Sequence, residues 1–294
     1  MPRADWEHVG SIHIPIPEKT EQDFITAFLD RETARIDALI AKKTRFIELL
    51  KEKRQALITH AVTKGLDPNV KMKDSGVEWI GEVPEHWEVK RFKFAVSSSK
   101  NGIWGDDPNG VDDIKCVRVA DFDRDTLGIR VEIPTLRAVP PKDREGRLLR
   151  RGNLLLEKSG GGENQPVGQV VMYARDDDAI CSNFIARIEL VQDTHPAFWN
   201  YSFAAAYYLR LNLRSVKQTS GIQNLDQEQY LSEYAAFPPI QEQAVIAATI
   251  DSGTARIDSL IAKTQRSIDL LKERRAAFTT AAVTGQIDLR GETA

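Results

Sequence analysis

The chain has 294 residues, a net charge of −3 and 28% charged residues. That length accommodates one globular domain with further elements attached, and the charge balance is that of a soluble protein in which any basic patch must be local. Cys116 and Cys181 lie alone in apolar runs, which excludes a disulfide framework or a zinc cluster. No signal peptide is evident, and no apolar run approaches the ~20 residues of a membrane span. The expected protein is cytoplasmic, free of membranes, with buried free thiols.

In chain order, Met1–Gly10 has no periodicity, and Ile12–Pro17 alternates like a strand. Residues 1–17 therefore read as the remnant of a preceding domain. Residues 18–66 predict one long helix. Leu29, Ile36, Ile40, Ile47, Leu50 and Leu57 recur at alternating steps of three and four, which is a coiled-coil seam. Leu39 and Phe46 widen the stripe, as expected of a helix with more than one packed neighbour. Pro17 and Glu21 suit its start, and Lys64-Gly65 suits its end.

A polar linker follows, then a segment from Ser75 to Val89 in which Trp79 and Trp87 are expected to anchor the chain onto a globular domain. That domain spans 67–237 with its linker. Strand-like runs at Ile114–Val119, Gly128–Ile133, Asn153–Leu156, Gly168–Tyr173 and Phe184–Leu190, plus a helix at Pro196–Leu213, give an α+β domain with a curled sheet.

Residues 238–290 predict a second long helix, and it repeats the first without a gap. Thr33-Ala34-Arg35-Ile36-Asp37 returns as Thr254-Ala255-Arg256-Ile257-Asp258, and Pro17, Glu21 and Gln22 return as Pro238, Glu242 and Gln243. Its seam is Ile250, Ile257, Ile261, Ile268, Leu271 and Phe278, with Leu260 alongside and Gly253 as the one weak point. Each helix should run about 60 Å at 1.5 Å per residue and cannot hide its stripe alone. The fold expected is therefore one mixed domain plus two long antiparallel coiled-coil helices, with Lys43, Arg54, Thr264 and Arg275 interrupting the seam and fixing register.

Three polar stretches of the middle domain suit phosphates and base edges. The first, Ser97–Gly105, offers Lys100, Asn101 and Trp104. The second, Glu157–Gln165, offers Lys158, Ser159, Asn164 and Gln165 around three glycines. The third, Arg210–Asn224, offers Arg214, Lys217, Gln218, Thr219 and Ser220. A three-glycine loop is more often a plain turn and a single Lys or Gln more often merely solvated; the third stretch is the strongest, because Lys217-Gln218-Thr219-Ser220-Gly221 places donors consecutively beside an aromatic-rich helix. No catalytic motif accompanies them. Ser159-Gly160-Gly161-Gly162 lacks a P-loop ending, Asp107-Pro108-Asn109 is no substitute for a methyltransferase motif, and the histidines lack metal spacing. Glu157-Lys158 hints at a nuclease without a second carboxylate, and Asp176-Asp177-Asp178 reads as a turn. No cofactor, metal site or catalytic residue is expected.

The order Met72–Trp87, a mixed domain, Ser220–Asp226, then Phe237-Pro238-Pro239-Ile240-Gln241-Glu242-Gln243 opening a long helix resembles the specificity subunit of type I restriction–modification systems. The resemblance covers nearly the whole chain. It implies a non-catalytic subunit that reads double-stranded DNA through a target-recognition domain. It further implies that the helices act as a ruler on which methyltransferase and restriction subunits dock. The full pattern has two recognition domains; this sequence carries one, and so reads as a half-subunit. Self-association through the long helices would restore a second reader and imply a palindromic split target. The alternative is a coiled-coil adaptor or scaffold whose middle domain binds protein.

Overall fold

The structure is a computed structural model that describes residues 5–219 and 221–287. Its long helices span Lys19–Lys64 and Ile240–Val283. The described residues of Met1–Lys53 with Ala255–Ala294 form one compact unit, and Arg54–Thr254 form a second. This division falls inside both long helices.

In the first unit the helices pack antiparallel. Phe28 meets Phe278 with ring centroids 5.6 Å apart, and Asp37, later in the first helix, lies 2.9 Å from Arg275, earlier in the second. The seam follows the heptads: Ile36, Leu50, Ile257 and Ile268 are buried, with Ile40, Ile47, Ile261 and Leu271 half-buried between them. Lys43, Thr264 and Arg275 share this seam, each half-buried. The wider stripe is not covered within the unit, since Leu39, Phe46 and Leu260 are 41%, 45% and 46% exposed. Two helices close on their heptad positions and leave the flanks to solvent. Seam threonines bond inside their own helices, Thr33 Oγ1 donating to Leu29 O (2.7 Å) and Thr254 Oγ1 to Ile250 O (2.8 Å).

The start of the chain departs from expectation. Trp6–Gly10 is a single helical turn, with Asp5 accepting from Glu7 N at 3.0 Å. Ile12–Pro17 is not a strand, and Ile12, Ile14 and Ile16 are exposed. Alternation marks a strand only where a second backbone completes the ladder, and no described segment pairs with this one.

The second unit is α+β, built from several small sheets rather than one curled sheet. The largest orders Val170–Met172, Leu154–Glu157, Ile185–Leu190 and Val96–Asn101, all antiparallel. A second sets Ala179–Cys181 parallel to Asp113–Val117, with Leu136–Ala138 antiparallel beyond. The helix Pro196–Tyr208 runs through the core with Phe198–Ala206 all buried. It stops short of the expected Leu213 because Arg210 turns left-handed (φ 60°) into a 3-10 turn. That turn lets Asn212 Nδ2 donate to Val167 O (2.7 Å). Ile58, Ala61 and Val62 from the first long helix and Ile246, Ala247 and Ile250 from the second join the same core. Gly253 sits at their crossing, where an added Cβ would lie 2.6 Å from Leu57 Cδ2. The glycine that weakens the helix by propensity is the one that leaves room for the Leu57 side chain.

The tryptophan segment anchors as expected. Trp87 is fully buried, and its indole Nε1 donates to Glu242 Oε2 (2.9 Å) in the first turn of the second long helix. His86 Nε2 lies 2.6 Å from the other oxygen of the same carboxylate. The strand Glu88–Arg91 then pairs with Tyr234–Phe237, which leads into that helix. Gln243 is buried; its Nε2 donates to Pro238 O (2.9 Å) and its Oε1 accepts from His195 N (2.9 Å). Gln22 repeats the first of these bonds, donating to Pro17 O at 2.8 Å. Gly65 closes the first helix at φ +74°, with Trp87 packed against it.

Both cysteines are buried and free, and burial pushes each thiol up to about 12. The acidic triplet is not an open cation site. Asp176 faces Arg151 (2.6 Å), and Asp177 accepts from Arg175 Nε and Lys115 Nζ, both at 2.7 Å. These bonds hold the Asp177 carboxyl well below the usual carboxylate range, the Arg175 bond contributing most.

Two outcomes follow. Trp87→Phe should lower stability by about 1.5–3 kcal/mol, since a hydrogen bond to a charged acceptor is lost; urea unfolding at an unchanged midpoint would contradict the clamp. A depressed carboxylate contributes stability that is complete above its unfolded value of about 4 and is lost as pH falls below it. Asp177→Asn should therefore flatten the loss of stability between about pH 4 and pH 2 in acid melts, relative to the parent chain.

Candidate nucleic-acid interface

The three polar stretches are built differently from loops. The first is mostly strand: Val96–Asn101 pairs along Ile185–Leu190, setting Lys100 opposite Arg187 and Asn101 opposite Ala186. Both residues are exposed. Gly102 then passes so close to the Cys181 and Ser182 carbonyls that no Cβ fits. Its N–H donates to Ile185 O and that of Ile103 to Cys181 O, each at 2.9 Å, which delivers Trp104 to the surface. Arg137 fixes that indole. Its guanidinium stacks 4.6 Å from the ring centroid while Nε donates to Trp104 O (3.2 Å) and Nη1 to Asp107 (2.6 Å).

The second and third stretches are one structure. Val216–Thr219 and Ile222–Leu225 form a hairpin, and Ser159–Gly160 adds to its far edge as a third antiparallel strand. Ser159 Oγ donates to Asn224 Oδ1 (2.7 Å), Leu225 N to Lys158 O (2.8 Å), and Val167 N to the buried Gln223 Oε1 (3.2 Å). Gly161 makes this possible: at φ +58° an added Cβ would stand 2.8 Å from Val167 N and 3.0 Å from Gln223 Oε1. Asn164 and Gln165 are exposed on the turn beyond, where Gly162 N donates to Gln165 O.

A cleft of 290 Å³ joins the first stretch to the second. Trp104, Arg118, Ser159, Gly160, Ser182 and Phe184 are among its walls. Trp104 and Ser159 thus converge on one concavity. Lys100, Asn101, Asn164, Gln165, Arg214 and Lys217 do not line it. Lys158 is half-buried, and burial lowers its ammonium from the usual lysine range. Arg214 is exposed, 3.7 Å from Glu233 Oε2. Lys217 is exposed, with Nζ 2.7 Å from Asp226 Oδ2. Gln218 and Thr219 occupy hairpin positions opposite Gln223 and Ile222; Ser220 lies outside the described residues.

Sequence reasoning missed Arg118, Arg137, Ser182 and Phe184. Their neighbours in the chain are apolar strands, so only the turn residues Ser182-Asn183 ahead of an exposed phenylalanine signalled them. Glu157, the hinted nuclease carboxylate, is buried and paired with Arg124 Nη2 at 2.8 Å. Burial pushes its carboxyl upward against that cation. Among the described residues no cluster of three or more His, Cys, Asp or Glu could hold a metal ion, and no helix is long and apolar enough to cross a membrane.

Gly161→Ala is expected to cost roughly 1–2 kcal/mol through its left-handed backbone and to loosen the strand at Ser159–Gly160. Gly162→Ala, with open space around it, should leave thermal stability unchanged. Equal melting temperatures for the two variants would contradict this account of the turn.

No family model matches the chain. The specificity subunit of the type I restriction enzyme EcoKI of Escherichia coli (strain K12) is 23% identical over 285 residues, 94% of this chain and 58% of the relative. The StySPI specificity subunit of Salmonella potsdam is 24% identical over 279 residues, again 94% and 58%. A solved structure described as bearing on complex assembly and conformational transition of the type I R-M system has the same fold, with TM-score 0.65 at 16% identity over 93% of this chain and 62% of its own. The chain thus spans somewhat under two thirds of the length of the relatives it matches. With one mixed domain between two repeated long helices in its sequence, the chain is similar over nearly its whole length to the type I restriction enzyme specificity subunits and shares the fold of the solved type I R-M structure.

Proposed function

We propose that this chain is a non-catalytic subunit for sequence-specific recognition of double-stranded DNA in a type I restriction–modification complex. Its middle domain reads one half of a bipartite target. Its long helices carry methyltransferase and restriction subunits and self-associate to supply a second reader. Such a complex works in the cytoplasm, where the DNA is. The observation that carries the reading is the three-stranded sheet at Ser159–Gly160, which gathers two polar stretches into one surface beside Trp104. A rigid sheet holds Lys217, Gln218 and Asn224 in fixed register, as base reading requires. The helices support the docking role through apolar side chains outside the seam, Leu39, Phe46, Leu49, Leu260 and Leu270, all exposed. The similarity to specificity subunits agrees with both parts.

The test is selection of bound sequences from a random duplex pool, followed by gel shifts. Lys217→Ala should weaken binding to every duplex and reduce the slope of log affinity against log salt by about one. Asp226→Asn keeps an acceptor for Gln229 N (3.1 Å in the parent) and releases Lys217, so it should strengthen binding at low salt. Gln218→Ala should relax one target position. If no sequence is enriched from the pool by the chain, alone or with a methyltransferase partner, the reading is wrong.

A further inference from the structure

The cleft beside Trp104 has a donor set that the domain uses only in part. Ser182 is 1% exposed, lines the cleft, and its hydroxyl has no hydrogen-bond partner. Arg118 lines it too, and its buried Nε is likewise without a partner. Asp121 occupies only part of the guanidinium, at 3.4 Å from Nη2. A buried polar group without a partner costs about 1–3 kcal/mol, so two on one wall mark a place where a ligand would recover that cost.

The remaining walls define the ligand's shape. Trp104 and Phe184 stay 38% and 45% exposed at the cleft. Two flat apolar faces beside polar donors suit a flat heteroaromatic ring. At 290 Å³ the space is just below the ~300 Å³ of the smallest usual ligand sites, enough for one ring system but not a large ligand. The backbone of the rim is fixed, since Gly102 is wedged on the Cys181 and Ser182 carbonyls and Phe184 O accepts from Lys158 N at 2.8 Å.

The chemistry of the donors selects among bases. A guanidinium offers only donors, and guanine is the base that presents two adjacent acceptors, O6 and N7, to such a fork. Adenine and cytosine place an amino group there, and thymine a methyl group and a single carbonyl. We propose that the Trp104–Phe184 cleft is a guanine-binding site, which takes one guanine of the target out of the base stack and reads it with Arg118 and Ser182. This rests on the domain being a DNA reader and names one base it reads. The cost of unstacking is offset by stacking on the aromatic rim and by the satisfied donors.

The probe is 5′-dGMP, titrated against the full chain and followed by line broadening of its proton NMR signals. Binding in the range of about 1 mM is expected, with dAMP, dCMP and dTMP several-fold weaker. Arg118→Lys keeps the charge and loses the fork, so dGMP should weaken by on the order of tenfold. Ser182→Ala should weaken it several-fold. Phe184→Leu serves as a further variant should Ser182→Ala fold poorly, and should also weaken dGMP. Equal broadening of all four nucleotides, or dGMP binding unchanged in the variants, overturns the site. Duplex gel shifts of the parent chain separate the two proposals. A chain that retards duplex but ignores dGMP loses the cleft alone. A chain that binds dGMP as expected but retards no duplex keeps the guanine site and loses the DNA reading.

Discussion

A tryptophan whose ring is fully buried must still place its N–H somewhere, and Glu242 is where Trp87 places it. That bond fastens the segment before the domain to the first turn of the helix after it. An anion at a helix N-terminus is already favoured by the unsatisfied backbone amides, so the same carboxylate serves the helix and the indole. Gln243 and the Tyr234–Phe237 strand complete the joint, fixing where the domain's chain enters and leaves.

The repeat is consistent with this reading at atomic level. Gln22 and Gln243 make the same bond to the proline carbonyl five residues earlier, and Thr33 and Thr254 make the same bond within their helices. What differs is the surroundings: Glu242 holds an indole and an imidazole, while Glu21 is exposed. Identical local chemistry therefore produces a closed joint in one copy and an open one in the other.

The polar surface of the middle domain depends on backbone more than on side chains. Three glycines in a row looked like a plain turn, yet Gly160 pairs with Gln223 and Gly161 admits a backbone amide next to its Cα. Without them, Ser159 would not reach Asn224, and two stretches some sixty residues apart in the chain (Ser159 and Asn224 bond at a separation of 65) would not form one sheet. The ion pairs around it are mostly solvent-exposed and contribute little to stability; they set where the charges stand.

The helices, their seam, the glycine at Gly65 and the tryptophan anchor were legible in the sequence because they depend on periodicity and on local rules of capping and burial. Helix pairing itself was legible because the only matching stripe was the second copy. The strand at Ile12–Pro17 and the curled sheet were not, since a strand exists only where another backbone completes it. For the same reason the sequence supplied Trp104 and Ser159 as separate polar candidates, while the cleft they share with Arg118, Ser182 and Phe184 was decided by the tertiary structure alone. Residues distant along the chain are joined there by sheet register and by glycines whose close contacts no local pattern records.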